Sequence, residues 1–275
     1  MIFDDNLVTA FNRFILASNF KRIETRFSMA KLPEHVNYTP SYNISPGDKS
    51  YVINNNQTRE ILLFDFGLRV NSDVMPFVRA EGERNAENNS NYKGSKAIFL
   101  KPEFNRLIRY QRCLVLADAF IVGVDENKPY LVYLRDKKRL FAFAGIWDRI
   151  KDKTTGEKVN SFAIITTTVN PLIAKLGYKR MPVILLNEDE STWLRTSAQL
   201  SDILSMLSPY PAKLMNAYPI GDKLKDKSLN EISLIQPIGK PVIQEFIYTR
   251  TKKPKRENSL PDLTLADRMG VKKDG

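Results

Sequence analysis

Cys113 is the only cysteine in the 275 residues and His35 the only histidine. No intrachain disulfide can form, and a zinc site of ordinary Cys/His ligand count cannot be assembled. A Ser-His-Asp or Cys-His centre would have to recruit His35, two residues after Pro33 in a loop-like stretch. Cys113 sits inside an apolar run and reads as a buried, inert thiol. No uninterrupted apolar stretch approaches the length of about 20 residues needed to span a membrane. No positively charged start leads into an apolar run either, so a cytoplasmic chain with no membrane partner is expected. Glycine-rich phosphate loops and internal repeats are missing, and nothing in the sequence implies a metal or another cofactor.

Positive charge is what the chain has in excess. Forty-two Lys and Arg stand against 31 Asp and Glu, a net charge of +11. Such a surplus favours polyanions, nucleic acid before membrane, because each cation set against a phosphate releases condensed counterions. With 15 Phe and 11 Tyr the chain also has the material for a real core.

Three parts follow from the pattern. Residues 1–22 read as a helical extension, capped by Asp4, Asp5 or Asn6, with Leu7, Phe11, Phe14 and Ile15 on one face. Residues 23–240 read as one domain rich in short strands, among them Leu131–Leu134, Leu140–Trp147, Phe162–Val169 and Val183–Leu186. Tyr130–Leu134 and Leu140–Trp147, joined by a polar loop, predict a hairpin, and Tyr42-Asn43 before Pro46 predicts a turn. Helices are expected after Ser191 and Ser201 as caps, with Trp193, Leu194, Ile203, Leu204 and Leu207 facing inward. Arg112 and Asp118 are candidates for a structural pair. Residues 241–275 read as a basic, flexible tail, with Lys252, Lys253, Lys255 and Arg256 around Pro254.

A set of segments, taken in order, resembles the SRAP family, the SOS-response-associated peptidases that process abasic sites in single-stranded DNA. They are Arg26-Phe27, Tyr42 to Pro46, Phe66-Gly67-Leu68, Asn85-Ala86, Arg112 to Phe120, Phe141 to Trp147, Phe162 to Thr168 and Arg180 to Leu186. The resemblance spans roughly residues 24 to 240. It implies an α+β fold around a mainly antiparallel, barrel-like sheet with flanking helices. It also implies a chemistry. A cysteine at the new N-terminus offers thiol and α-amine to the ring-opened sugar aldehyde, giving an imine and then a thiazolidine. An asparagine positions the sugar, while a glutamate and a histidine move protons.

This sequence departs from that set. The family opens Met-Cys-Gly-Arg-Phe; matching Arg26-Phe27 to it places Glu24 at the cysteine, behind an N-terminal extension. The family's Asp-Gly-Phe-Tyr-Glu-Trp is matched by Asp118 to Gly123, which places Val122 at the glutamate. Tyr178 stands at the histidine of Ile-His-Asp, leaving Asn85 as the one retained catalytic position. For nucleic acid, Arg26 and Arg180 match motif arginines, and Phe66 replaces a tryptophan that could stack on bases. Glu87 stands where the Asn-Ala-Arg motif has its arginine. Lys179, beside the histidine position, could form an imine if burial depressed its pKa.

The reading is a catalytically degenerate, SRAP-like protein of the DNA damage response that binds single-stranded DNA. Two others stay open. One is an active abasic-site cross-linking enzyme that uses Lys179 or a processed N-terminus; the other is an interaction protein that has kept the scaffold and lost DNA.

Overall fold

Buried β-branched and aromatic runs, rather than helical stripes, organise this chain. The computed structural model describes residues 11–27, 30–34, 36–70, 73–81, 96–125, 128–135, 140–151 and 156–245. Asp4 to Leu7, His35, Asn85, Glu87 and the basic tail from Arg250 lie outside those residues.

The strands are β1 (Phe11–Leu16), β2 (Ser41–Ile44), β3 (Lys49–Asn54), β4 (Leu62–Phe66), β5 (Leu68–Val70), β6 (Asp73–Met75) and β7 (Phe77–Arg79). They continue with β8 (Arg112–Ala117), β9 (Ala119–Val122), β10 (Tyr130–Leu134), β11 (Phe141–Lys151), β12 (Lys158–Thr168), β13 (Arg180–Pro182) and β14 (Met215–Pro219). Five α-helices among the described residues are α1 (Phe20–Arg26), α2 (Pro102–Tyr110), α3 (Pro171–Lys175), α4 (Glu190–Leu194) and α5 (Leu200–Ser205).

β11, β8, β3, β4 and β12 pair in that order, and β11 pairs back onto β12 to close a barrel. Closure removes the open edges that would otherwise invite pairing with other chains. β12 runs parallel to β4 and β7; the other pairings in this sheet are antiparallel. The fold is α+β, with a mainly antiparallel barrel, as the sequence predicts. A second antiparallel sheet has the order β14-β10-β9-β1-β2.

β8 and β9 carry the chain from one sheet into the other, with Asp118 at the joint. Its carboxylate accepts hydrogen bonds from Ala17 N, Ser18 N and Ser18 Oγ, at 2.7, 2.7 and 2.5 Å, which fixes the end of β1. Arg112 turns elsewhere, so the two do not form the expected pair. The segment 220–243 covers both edges of the second sheet. Asn43 Nδ2 reaches the carbonyls of Leu224, Asp226 and Leu229 beside β2. Ile238 N and Val242 N donate to Pro219 and Ala217 of β14.

Several local expectations are corrected. Phe11–Leu16 is not helical; it is an inner strand between β2 and β9. Tyr130–Leu134 and Leu140–Trp147 form no hairpin, because β10 belongs to the second sheet and β11 to the barrel. Tyr42-Asn43 lies within β2, and the turn follows at Gly47, whose φ of +98° suits glycine. Ser191 and Ser201 sit inside α4 and α5, whose N-caps are Asp189 and Gln199. Val183–Leu186 is extended but is held by single bonds, such as Ala144 N to Val183 O, beyond the end of β13. Trp193, Ile203 and Leu207 are buried as expected, and so is Cys113, whose thiol burial pushes up.

Candidate functional site

The Val122 and Tyr178 positions come together at the end of β9, which pairs with β1. In the β1–β9 ladder Phe11 is the partner of Val122 and Phe14 of Phe120, with a register shift between Phe11 and Arg13. That bulge sets Phe11, Phe14 and Leu16 in the main core and sends Ile15 into the separate cluster of the second sheet. The Phe11 ring is enclosed by Phe77, Phe120 and Phe143, with centroids 5.2, 5.5 and 5.5 Å away.

Tyr178 arrives from the other side. Asn170 caps α3 by accepting from Ile173 N, and Gly177, at φ +92°, turns the chain into Tyr178. Tyr178 is buried, and its phenol lies over Gly123. A Cβ built on Gly123 would stand 2.1 Å from the Tyr178 hydroxyl and 2.5 Å from Lys128 O, and φ there is +79°. Only glycine leaves room for this tyrosine. The corner where β1, β9 and Tyr178 come together is therefore packed with phenyl, isopropyl and phenol groups, all buried.

Charged side chains flank it. Arg13 is 6 % exposed, and its Nε has no hydrogen-bond partner among the described residues. Burial pushes the Arg13 guanidinium down, while the carboxylates of Asp125 and Asp48 act the other way. Two residues past Tyr178, Arg180 Nη2 donates to Glu81 Oε2 at 2.8 Å and to Thr166 O at 2.7 Å. Glu81 Oε1 also accepts from Thr167 Oγ1 at 3.0 Å. Burial pushes the Glu81 carboxyl up, but the charge and hydrogen bond of Arg180 outweigh that, leaving it below the ordinary range. Lys96 Nζ donates to Thr167 Oγ1 at 3.3 Å and to Leu207 O, and burial pushes its amine down. Among the described residues, no group of three or more His, Cys, Asp or Glu could hold a metal ion.

The other predicted residues are scattered. Glu24 lies on α1, half-buried. Arg26 is ion-paired to Glu190 at 2.7 Å, with both side chains 11 % exposed, and also donates to Asn187 Oδ1 and Leu140 O. Burial pushes Glu190 up, against the pull of Arg26. Phe66 cannot stack on a base: it is 1 % exposed and lies face to face with Phe162, 5.1 Å between centroids and 7° between planes. Lys179 is exposed, so the burial on which imine chemistry there depends is absent. The sequence reading missed Phe11, Arg13, Gly123, Glu81 and Lys96. One signal was present: Arg13-Phe14 is a second Arg-Phe pair, and it lies on β1 opposite Ile121 and Phe120, next to Val122.

Against known proteins, residues 12–227 match the family model described as SOS response associated peptidase (SRAP). The Abasic site processing protein YoqW of Bacillus subtilis (strain 168) is 29 % identical over 229 residues, covering 82 % of this chain and 98 % of the relative. The Abasic site processing protein YoaM of the same organism is 29 % identical over 228 residues, covering 81 % and 96 %. Among solved structures, a Bacteroides thetaiotaomicron protein is similar with a TM-score of 0.64 at 26 % identity, covering 82 % of this chain and 99 % of that one. A Bordetella bronchiseptica protein shares the fold, with a TM-score of 0.56 at 21 % identity over 76 % of this chain and 99 % of its own. With more than half its length matched by the family model, the chain belongs to the SRAP family.

Proposed function

We propose that this chain acts in the DNA damage response by binding single-stranded DNA, abasic strands included, without forming a covalent link to the abasic sugar. The observation that carries the reading is the register of β1. Phe11-Asn12-Arg13-Phe14 beside Val122 matches the family's opening Cys-Gly-Arg-Phe better than Glu24 to Phe27 does, and the family match beginning at residue 12 agrees. The nucleophile position is then Phe11, whose nitrogen is an ordinary chain amide preceded by ten residues. Thiol, α-amine, carboxylate and imidazole are replaced by phenyl, amide, isopropyl and phenol, and none of these adds to an aldehyde.

Two further departures fit together. Gly123 stands at the tryptophan of Asp-Gly-Phe-Tyr-Glu-Trp, and the space this frees is taken by the Tyr178 phenol. Arg79-Ala80-Glu81, on and just after β7, is a second match to the Asn-Ala-Arg motif beside Asn85-Ala86-Glu87, and on it the asparagine is replaced as well and the arginine becomes an acid. DNA as partner is supported by the two Bacillus relatives, named abasic site processing proteins, and by the net charge of +11. Of the cations beside the site, Lys179 is exposed, Lys96 and Arg180 are partly exposed, and Arg13 is buried. An interaction protein without DNA is the second reading, favoured by the ion pair that occupies Arg26 and by the burial of Phe66.

The test is a labelled single-stranded oligonucleotide, intact and abasic, bound at low and moderate salt and then run on a denaturing gel. Salt-sensitive binding of both strands with no resistant band is expected. A band surviving denaturation on abasic DNA would overturn the loss of catalysis and direct attention to Lys179 or a processed N-terminus. No binding at either salt would leave the interaction protein.

A further inference from the structure

Glu81 is an anion set between cations at the site that the preceding reading assigns to DNA. Its two carboxylate oxygens are divided between Arg180 Nη2 and Thr167 Oγ1, at 2.8 and 3.0 Å. Lys96 holds the far side of Thr167, so two positive charges share one negative charge. The pair is partly open to solvent, with the Arg180 and Glu81 side chains 17 % and 18 % exposed. Arg180 Nη1 donates no hydrogen bond among the described residues. A carboxylate and a phosphate make the same charge-assisted bond to a guanidinium, so one can take the other's place.

We infer that Glu81 is a resident competitor for phosphate, holding the guanidinium face of Arg180 that a DNA phosphate would otherwise take. The inference rests on the single-stranded DNA reading and deepens it: the affinity of this site is set by an internal anion as well as by its cations. A strand that binds must either displace the Glu81 carboxylate from Arg180 or use the remaining Nη1 edge. In both cases it meets a cluster of net charge +1 instead of +2. Thr166 keeps Arg180 in place after displacement, because Nη2 and Nε also bond to Thr166 O and Oγ1, at 2.7 and 3.2 Å. The seat is therefore formed even when Glu81 gives way.

Glu81→Gln tests this in the full-length chain, since the amide keeps an acceptor for Arg180 while losing the charge. Binding of a labelled, undamaged single strand would be followed by fluorescence anisotropy over a range of salt, with thermal melting as the check on folding. Binding about tenfold tighter is expected, with the slope of log affinity against log salt steeper by about 0.7, the value of one added single-strand phosphate contact. The gain should vanish in the double variant Glu81→Gln/Arg180→Gln. Glu81→Ala gives the same test should the glutamine variant not fold. Salt-sensitive binding that is equal in wild type and variant would overturn the role of Glu81 and leave the DNA reading standing. Failure of wild type and both single variants to bind at low salt would overturn the DNA reading and this inference with it. Binding by the variants alone would support both, with Glu81 as the group that silences the site.

Discussion

Arg112 is fully buried and has no carboxylate partner among the described residues. Its guanidinium donates to Trp193 O at 2.6 Å, Arg195 O at 2.6 Å, Ile108 O at 2.9 Å and Arg109 O. These are carbonyls at the ends of α4 and α2, which need donors because no further helical turn supplies them. One side chain therefore ties two helix ends to β8. Burial without a counter-ion lowers its pKa to about 10, still far above neutrality, so the charge persists. Arg112→Leu should cost about 3–5 kcal/mol, because it strands several buried acceptors at once. Thermal melting reads this directly, and a loss below about 1 kcal/mol would mean that the helix ends find other donors. A structural role for Arg112 was legible in the sequence, but its partners were not. Backbone carbonyls carry no side-chain signature, and Asp118 was the nearest visible acid. Phe66 failed for a related reason, since an aromatic residue reads the same whether it faces a base or Phe162.

At the scale of elements, the error at β1 has a geometric cause. Phe11, Phe14 and Ile15 follow the three-and-four spacing of a helix face. A strand produces the same spacing when a bulge inserts one residue between inward-facing positions, as happens between Phe11 and Arg13. The difference has consequences. A peripheral helix could be removed with little effect, whereas β1 sits between two strands and Phe14 is wholly buried against Phe66 and Phe143. Phe14→Ala should lower stability by about 3–5 kcal/mol, and deletion of residues 1–22 should prevent folding. Chemical denaturation of both variants would decide between a core strand and a dispensable extension: an unchanged midpoint for the deletion would sink the former. Strands buried on both faces, such as β11 and β12, were read correctly because a run of apolar residues needs no periodicity to identify it. The β10–β11 hairpin failed because chain proximity suggests pairing, while sheet membership depends on contacts far along the chain.

For the molecule as a whole, the family scaffold survives, and the proposed function has the groups at its reactive corner changed together. Three separate stretches, around residues 11, 122 and 178, are brought together by the β1–β9 ladder and by the packing of Tyr178 on Gly123. If the loss of chemistry lies in those side chains and not in the scaffold, restoring them should restore reactivity. The chain would be made to begin at residue 11, with Phe11→Cys, Val122→Glu and Tyr178→His. Thiol and α-amine would then share one terminus, next to a carboxylate and an imidazole able to move protons. Phe11→Cys alone should give nothing while residues 1–10 precede it, since the amine remains an amide. The cost is the cavity left by the phenyl ring, about 3–5 kcal/mol, so the variant must first be shown to melt cooperatively. A folded triple variant should give a denaturation-resistant band with abasic single-stranded DNA, in low yield because the Glu81 carboxylate still holds Arg180, where a strand phosphate would sit. Adding Glu81→Arg should raise that yield by strengthening strand binding. A folded quadruple variant that binds abasic DNA yet forms no band would show that the scaffold itself has moved away from the geometry that the reaction needs.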